Sequence, residues 1–140
     1  MANEGIIKLG EISQIGIAVQ DADKIIEAWK AAFGFDNWRY QEMGGIDAKG
    51  RPWKAKLCFY KLGPIELELI QPVEGRIAQS RQLETRGDGI HHIAFPVANV
   101  LETAAQFEGR PGFRIILKTE RFTYIEIPGG VTIELLSPRR

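Results

Sequence analysis

The chain repeats itself. Residues Leu62-Gly63-Pro64-Ile65-Glu66-Leu67-Glu68-Leu69-Ile70-Gln71-Pro72 run parallel to Pro128-Gly129-Gly130-Val131-Thr132-Ile133-Glu134-Leu135-Leu136-Ser137-Pro138 at a constant offset of 66. An earlier pair, Gln14-Ile15-Gly16-Ile17-Ala18-Val19 and His92-Ile93-Ala94-Phe95-Pro96-Val97, matches at an offset of 78. Matched segments in the same order in both halves mean one supersecondary unit used twice, which restricts the fold to two like modules. The offsets differ by 12 residues. The first half therefore carries a longer insertion, which the polar, Gly-rich stretch 44–52 is expected to accommodate.

Each half reads strand, helix, then strands. Residues 13–19 alternate around small and β-branched side chains and suit a strand. Asp21 is a candidate N-cap, Ile25, Ile26, Trp29, Ala32 and Phe33 follow at helical spacing, and Gly34 stands where a helix stops. Residues 54–60 and 64–70 form two strands around a tight turn at Leu62-Gly63. The second half gives a strand over 91–97, a helix over about 99–107 ended by Gly109-Arg110-Pro111, and strands over 113–117, 121–127 and 131–136. Residues 76–86 are a helix or an irregular link. The expected architecture is α+β: a single domain over 1–140 with two tandem βαβββ modules, about 10–72 and 89–138, joined by a link over 73–88. Their strands make one curved mixed sheet around a concavity, with the helices outside.

A chain of 140 residues holds one sizeable core. Its 18 Lys plus Arg balance 18 Asp plus Glu, so no bulk charge draws it to nucleic acid or an anionic membrane. The single cysteine, Cys58, excludes an intrachain disulfide and multi-cysteine metal motifs, and is expected as a small core residue. No apolar run is long enough to span a bilayer, and MANEGIIKLGE lacks a basic segment followed by an apolar one. The expectation is a cytoplasmic protein with no nucleic-acid or membrane partner.

Side chains alternate between faces along a strand. One face of each matched strand is apolar: Ile15, Ile17 and Val19; Leu67 and Leu69; Ile93, Phe95 and Val97; Ile133 and Leu135. The other face carries one metal-capable residue apiece, Gln14, Glu68, His92 and Glu134. Two strand-interior carboxylates flanked by leucines are expensive to bury unpaired, so they must face water, pair with a cation or bind a metal. Oxygen and imidazole ligands without thiolate suit one divalent ion such as Ni, Co, Mn, Zn, Fe or Mg. A solvated face is the ordinary fate of Glu66. His91 has the opposite parity to His92 and is expected to be structural. Lys54 and Lys56 suit a solvated face first and an anchor for an anionic substrate group second. Trp38 and Trp53 either cap the core or line a ligand pocket.

The motifs Gln14-Ile-Gly-Ile-Ala-Val, Ala-Phe-Gly-Phe closing the first helix, Glu68-Leu-Ile-Gln-Pro, Gly89-Ile-His-His-Ile-Ala-Phe and Thr132-Ile-Glu-Leu-Leu-Ser-Pro together resemble the vicinal oxygen chelate superfamily. That fold is shared by glyoxalase I, methylmalonyl-CoA epimerase, extradiol dioxygenases and bleomycin-resistance proteins. The resemblance covers nearly the whole chain and implies metal ligands at Gln14, Glu68, His92 and Glu134. The ligand set matches the glyoxalase I pattern, whereas Gln71-Pro72-Val73-Glu74-Gly75 and Gly87-Asp88-Gly89-Ile90-His91-His92 look more like the epimerase branch. Ala18 stands where glyoxalase I often carries a glutathione-binding arginine. Residues 54–60 hold no acid to match the second glutamate of the epimerases.

The resemblance implies a metal-dependent isomerase, epimerase or lyase. Such an enzyme would take a proton next to a carbonyl of a small acyl thioester or hydroxycarbonyl compound, by way of an enediolate. Glu134 is the expected principal base and Glu68 the facing one. A metal-free binding protein of the bleomycin-resistance type is the first alternative, and a non-haem metal dioxygenase, disfavoured by Gln14, the second. Two sheet-bearing modules also lead us to expect a homodimer.

Overall fold

A computed structural model describes residues 5–138; the first four residues, on which part of the leader reading rests, lie outside it. The chain is α+β, with eight strands and three helices among the described residues. It forms two compact units, Ile15–His91 and a second that combines residues 5–14 with 92–138.

The first of these units holds most of β1 (Gln14–Ala18), then α1 (Ala22–Phe33), β2 (Arg39–Ile46), β3 (Pro52–Leu62), β4 (Ile65–Glu74) and α2 (Ser80–Thr85). Its strands lie in the order β2-β3-β4-β1. Asp21 caps α1 by accepting from Lys24 N–H, and Gly34 ends it in the left-handed region at φ 71°, which costs glycine no Cβ clash. One core cluster packs α1 on the sheet: Val19, Ala22, Ile26, Cys58 and Leu69, edged by Trp29 and Trp38. A second cluster lies on the other sheet face: Ala55, Leu57, Phe59 and Ile70, with Trp53 and Ile77 against it. Both faces of β3 are therefore buried, and Leu57-Cys58-Phe59 reads as a continuous apolar run. Gly75 closes this region at φ 66°, where a Cβ would strike the Pro52 carbonyl.

The other unit holds most of β5 (Gly89–Pro96), then α3 (Val100–Ala105), β6 (Arg114–Lys118), β7 (Phe122–Ile127) and β8 (Val131–Leu136), with strand order β5-β8-β7-β6. Its core joins Val100, Ala104 and Phe107 around α3 to Ile125, Ile133 and Leu135 from the sheet. Asn99 caps α3 by accepting from Glu102 N–H at 3.0 Å.

The repeat survives as hydrogen bonds. Val19 N–H donates to the Ile70 carbonyl at 3.0 Å, and Val97 N–H donates to the Leu136 carbonyl at 2.9 Å. The donors stand at the offset of 78 and the acceptors at that of 66. The extra length of the first module is not a loop insertion over 44–52. It goes into a helix of 12 residues against 6, and into β2 and β3 of 8 and 11 residues against 5 and 6 in β6 and β7. β2 is absent from the sequence reading because all eight of its residues are exposed and none marks a buried face.

Candidate metal and acid-base site

β5 and β8 run parallel, with Ile93 opposite Ile133 and Ala94 opposite Glu134. Residues directly opposite share a sheet face, so Glu134 lies on the face of His92 and Ala94 while Ile93, Ile133 and Leu135 point at α3. The parity expected from sequence holds here. His92 Nε2 stands 3.2 Å from Glu134 Oε1, and both side chains are almost wholly removed from water. Glu134 Oε1 accepts no hydrogen bond among the described residues. A buried carboxylate oxygen in that condition costs several kcal/mol unless a cation meets it.

The spacing suits a metal. Two ligand atoms about 2.1 Å from one ion at a right angle stand about 3 Å apart. Ligand-capable atoms are offered by buried residues at three of the four expected positions, Glu68, His92 and Glu134. The donor set is oxygen and imidazole, which divalent Mg, Mn, Fe, Co, Ni and Zn accept. The His92–Glu134 spacing and the donor chemistry thus fit a divalent ion.

Gln14 is buried at the start of β1. The preceding Ser13 N–H donates to the Ala94 carbonyl at 2.9 Å, which lays this segment against β5. Glu68 belongs to the Ile15–His91 unit, where it is the fourth residue of β4, as Glu134 is of β8. It too is buried. Each glutamate has an aromatic residue as its cross-strand partner: Phe59 opposite Glu68 and Tyr124 opposite Glu134. Tyr124 also packs on the His92 imidazole, with ring centroids 5.0 Å apart.

The secondary candidates resolve individually. His91 Nδ1 lies 3.4 Å from Gln79 Nε2, a structural contact beside the turn into β5. Glu66 is not on a solvated face: its side chain is 14% exposed and accepts from Arg39 Nη2 at 3.3 Å. Lys56 is bound on the α1 side by Asp23 at 2.6 Å, and this hydrogen bond raises its ammonium above the ordinary lysine range. Trp38 caps the core, donating its indole N–H to the Phe35 carbonyl at 2.7 Å. Trp53 packs on the apolar cluster that shares Glu68's face. Cys58 is a buried core residue, as expected.

Known proteins resemble this chain in sequence and fold. The family model of the Glyoxalase/Bleomycin resistance protein/Dioxygenase superfamily matches residues 13–127. The chain belongs to this superfamily. A curated relative, the 2-epi-5-epi-valiolone epimerase of Actinomyces sp., is 25% identical, over 98% of this chain and 84% of that protein. A variant of Streptomyces coelicolor methylmalonyl-CoA epimerase in complex with 2-nitronate-propionyl-CoA is 26% identical with a TM-score of 0.69, covering 95% of this chain and all (100%) of that one. The Mycobacterium tuberculosis methylmalonyl-CoA epimerase, 23% identical with a TM-score of 0.66 over 94% of this chain and 90% of that one, has the same fold. The superfamily member is thus similar to epimerases, and among its described residues no helix is long and apolar enough to cross a membrane.

Proposed function

We infer that this superfamily member is a metal-dependent epimerase or related isomerase that removes a proton beside the carbonyl of a small acyl compound. The observation that carries the reading is the buried His92–Glu134 pair, 3.2 Å apart, whose Glu134 Oε1 accepts no hydrogen bond among the described residues. Gln14, Glu68, His92 and Glu134 would hold one divalent ion. When bound, such an ion supplies a Lewis acid that polarises the substrate carbonyl and so acidifies the adjacent C–H.

The chain's own residues do the rest. Glu134 takes the proton at a carboxylate oxygen, and Glu68, the matching residue of the other module, serves the opposite face of the carbon. Their buried setting excludes water that would otherwise compete for the proton. The similarity to two kinds of epimerase supports proton removal and return over binding alone or oxygen chemistry.

We place the enzyme in the cytoplasm as a homodimer, with a small-molecule substrate as its ligand. The test is incorporation of solvent deuterium into candidate acyl thioesters and hydroxycarbonyl compounds by metal-loaded protein. Incorporation without oxygen uptake supports the reading. Oxygen uptake, or retention of every substrate proton by protein shown to be metal-loaded, would overturn it.

A further inference from the structure

Arg39 opens β2, and its cross-strand partner on β3 is Phe59. Phe59 in turn is opposite Glu68 on β4. Partners directly opposite share a face, so Arg39, Phe59 and Glu68 form one row across three strands. The Arg39 guanidinium lies over the Phe59 ring, its Cζ 4.2 Å from the ring centroid. The side chain therefore bends inward along the row, from exposed β2 toward β4. At its end, Nη2 donates to Glu66 Oε2 at 3.3 Å. Glu66 lies two residues before Glu68 and on the same face.

The pair is built loosely. The Arg39 side chain is 50% exposed, and its contact with Glu66 is one long hydrogen bond. Half-exposed pairs of this kind are weakly held, and a guanidinium has five N–H donors to offer. The core does not require this cation, since half of its surface stays in water. The repeat does not require it either. In the second module Tyr124 is opposite Glu134, and the residue across from Tyr124 on β6 is Leu117. The cation is thus peculiar to Glu68's row. Lys56, one of the two lysines named for such a role, is taken up by Asp23.

The geometry points to Arg39 as the residue that binds a carboxylate of the substrate, displacing its bond to Glu66. The planar fork of a guanidinium meets a carboxylate at two points, and the Phe59 ring holds that plane in place. This rests on Glu68 as a site residue. It narrows the substrate class to carbonyl compounds that carry a separate carboxylate.

The test is calorimetric binding of malonate, succinate and glutarate, and of their dimethyl esters, to metal-loaded protein. Arg39→Gln is compared with wild type, and Arg114→Gln, which removes the same charge from β6, serves as control. We expect Arg39→Gln to weaken at least one dicarboxylate about tenfold or more, as loss of a charge-assisted contact does. The dimethyl esters, which carry no carboxylate, should bind wild type and Arg39→Gln alike, and Arg114→Gln should behave as wild type. Equal binding of all three dicarboxylates by wild type and Arg39→Gln, or an equal loss in Arg114→Gln, overturns the proposal. Metal content and deuterium exchange are read on the same samples. Exchange by wild type with no dicarboxylate preference removes Arg39's role alone. An Arg39-dependent preference in protein that exchanges no proton removes the epimerase reading alone.

Discussion

His92 and Glu134 sit on adjacent parallel strands with Nε2 and Oε1 3.2 Å apart, and that glutamate oxygen is buried without accepting a hydrogen bond among the described residues. That relationship is costly for a core that holds only protein atoms. It becomes favourable when a divalent ion sits against both atoms.

The two glutamates should separate by substitution. Glu134→Gln keeps an oxygen ligand but loses the proton acceptor, so turnover should fall about 10²-fold or more while metal occupancy falls much less. Glu68→Gln should still exchange the substrate proton with solvent yet stop net epimerisation. Near-normal turnover in a metal-loaded Glu134→Gln protein would remove Glu134 as the base.

Cys58 offers a reporter of global opening. It is fully buried, and burial pushes its thiol above the usual cysteine range. Alkylation by iodoacetamide at pH 8 should be far slower in native protein than in urea-unfolded protein, because the thiolate is both scarce and enclosed. Labelling at the unfolded rate under native conditions would contradict the core assignment.

The helix caps should behave as equivalents. Asp21 and Asn99 each bond the N–H three residues on. Replacing either with Ala should cost about 1 kcal/mol in urea denaturation, and Ser should recover most of it. An effect at one cap only would break the correspondence between the modules.

Light scattering at micromolar concentration should give about twice the 15.7 kDa chain mass. The eight exposed residues of β2 include Tyr40, Met43 and Ile46, apolar surface that association would cover. A mass of one chain would contradict the dimer.

Much of this was legible in residue order because several requirements coincided. Asp21 and Gly34 bracket α1 by capping chemistry, and the outcome follows from side-chain acceptors and backbone freedom that no tertiary contact overrides. Glu134 was legible because its neighbours Ile133 and Leu135 face α3, so parity alone turns it the other way. β2 was not legible. Its residues are all exposed, so no period-2 burial marks the strand, and its form depends on pairing with β3. Arg39 was hidden with it. The apolar cluster on Glu68's face was obscured for the opposite reason: Leu57, Cys58 and Phe59 are buried in succession on both faces, which erases the alternation.

Metal stoichiometry in three proteins tests the central claim most directly. Wild type, His92→Ala and His91→Ala are each saturated with a divalent ion, dialysed and assayed by elemental analysis. The account predicts about one ion per chain in wild type and His91→Ala, and a sharp loss in His92→Ala. Equal retention or equal loss in the two variants, or no ion held by wild type, would contradict it.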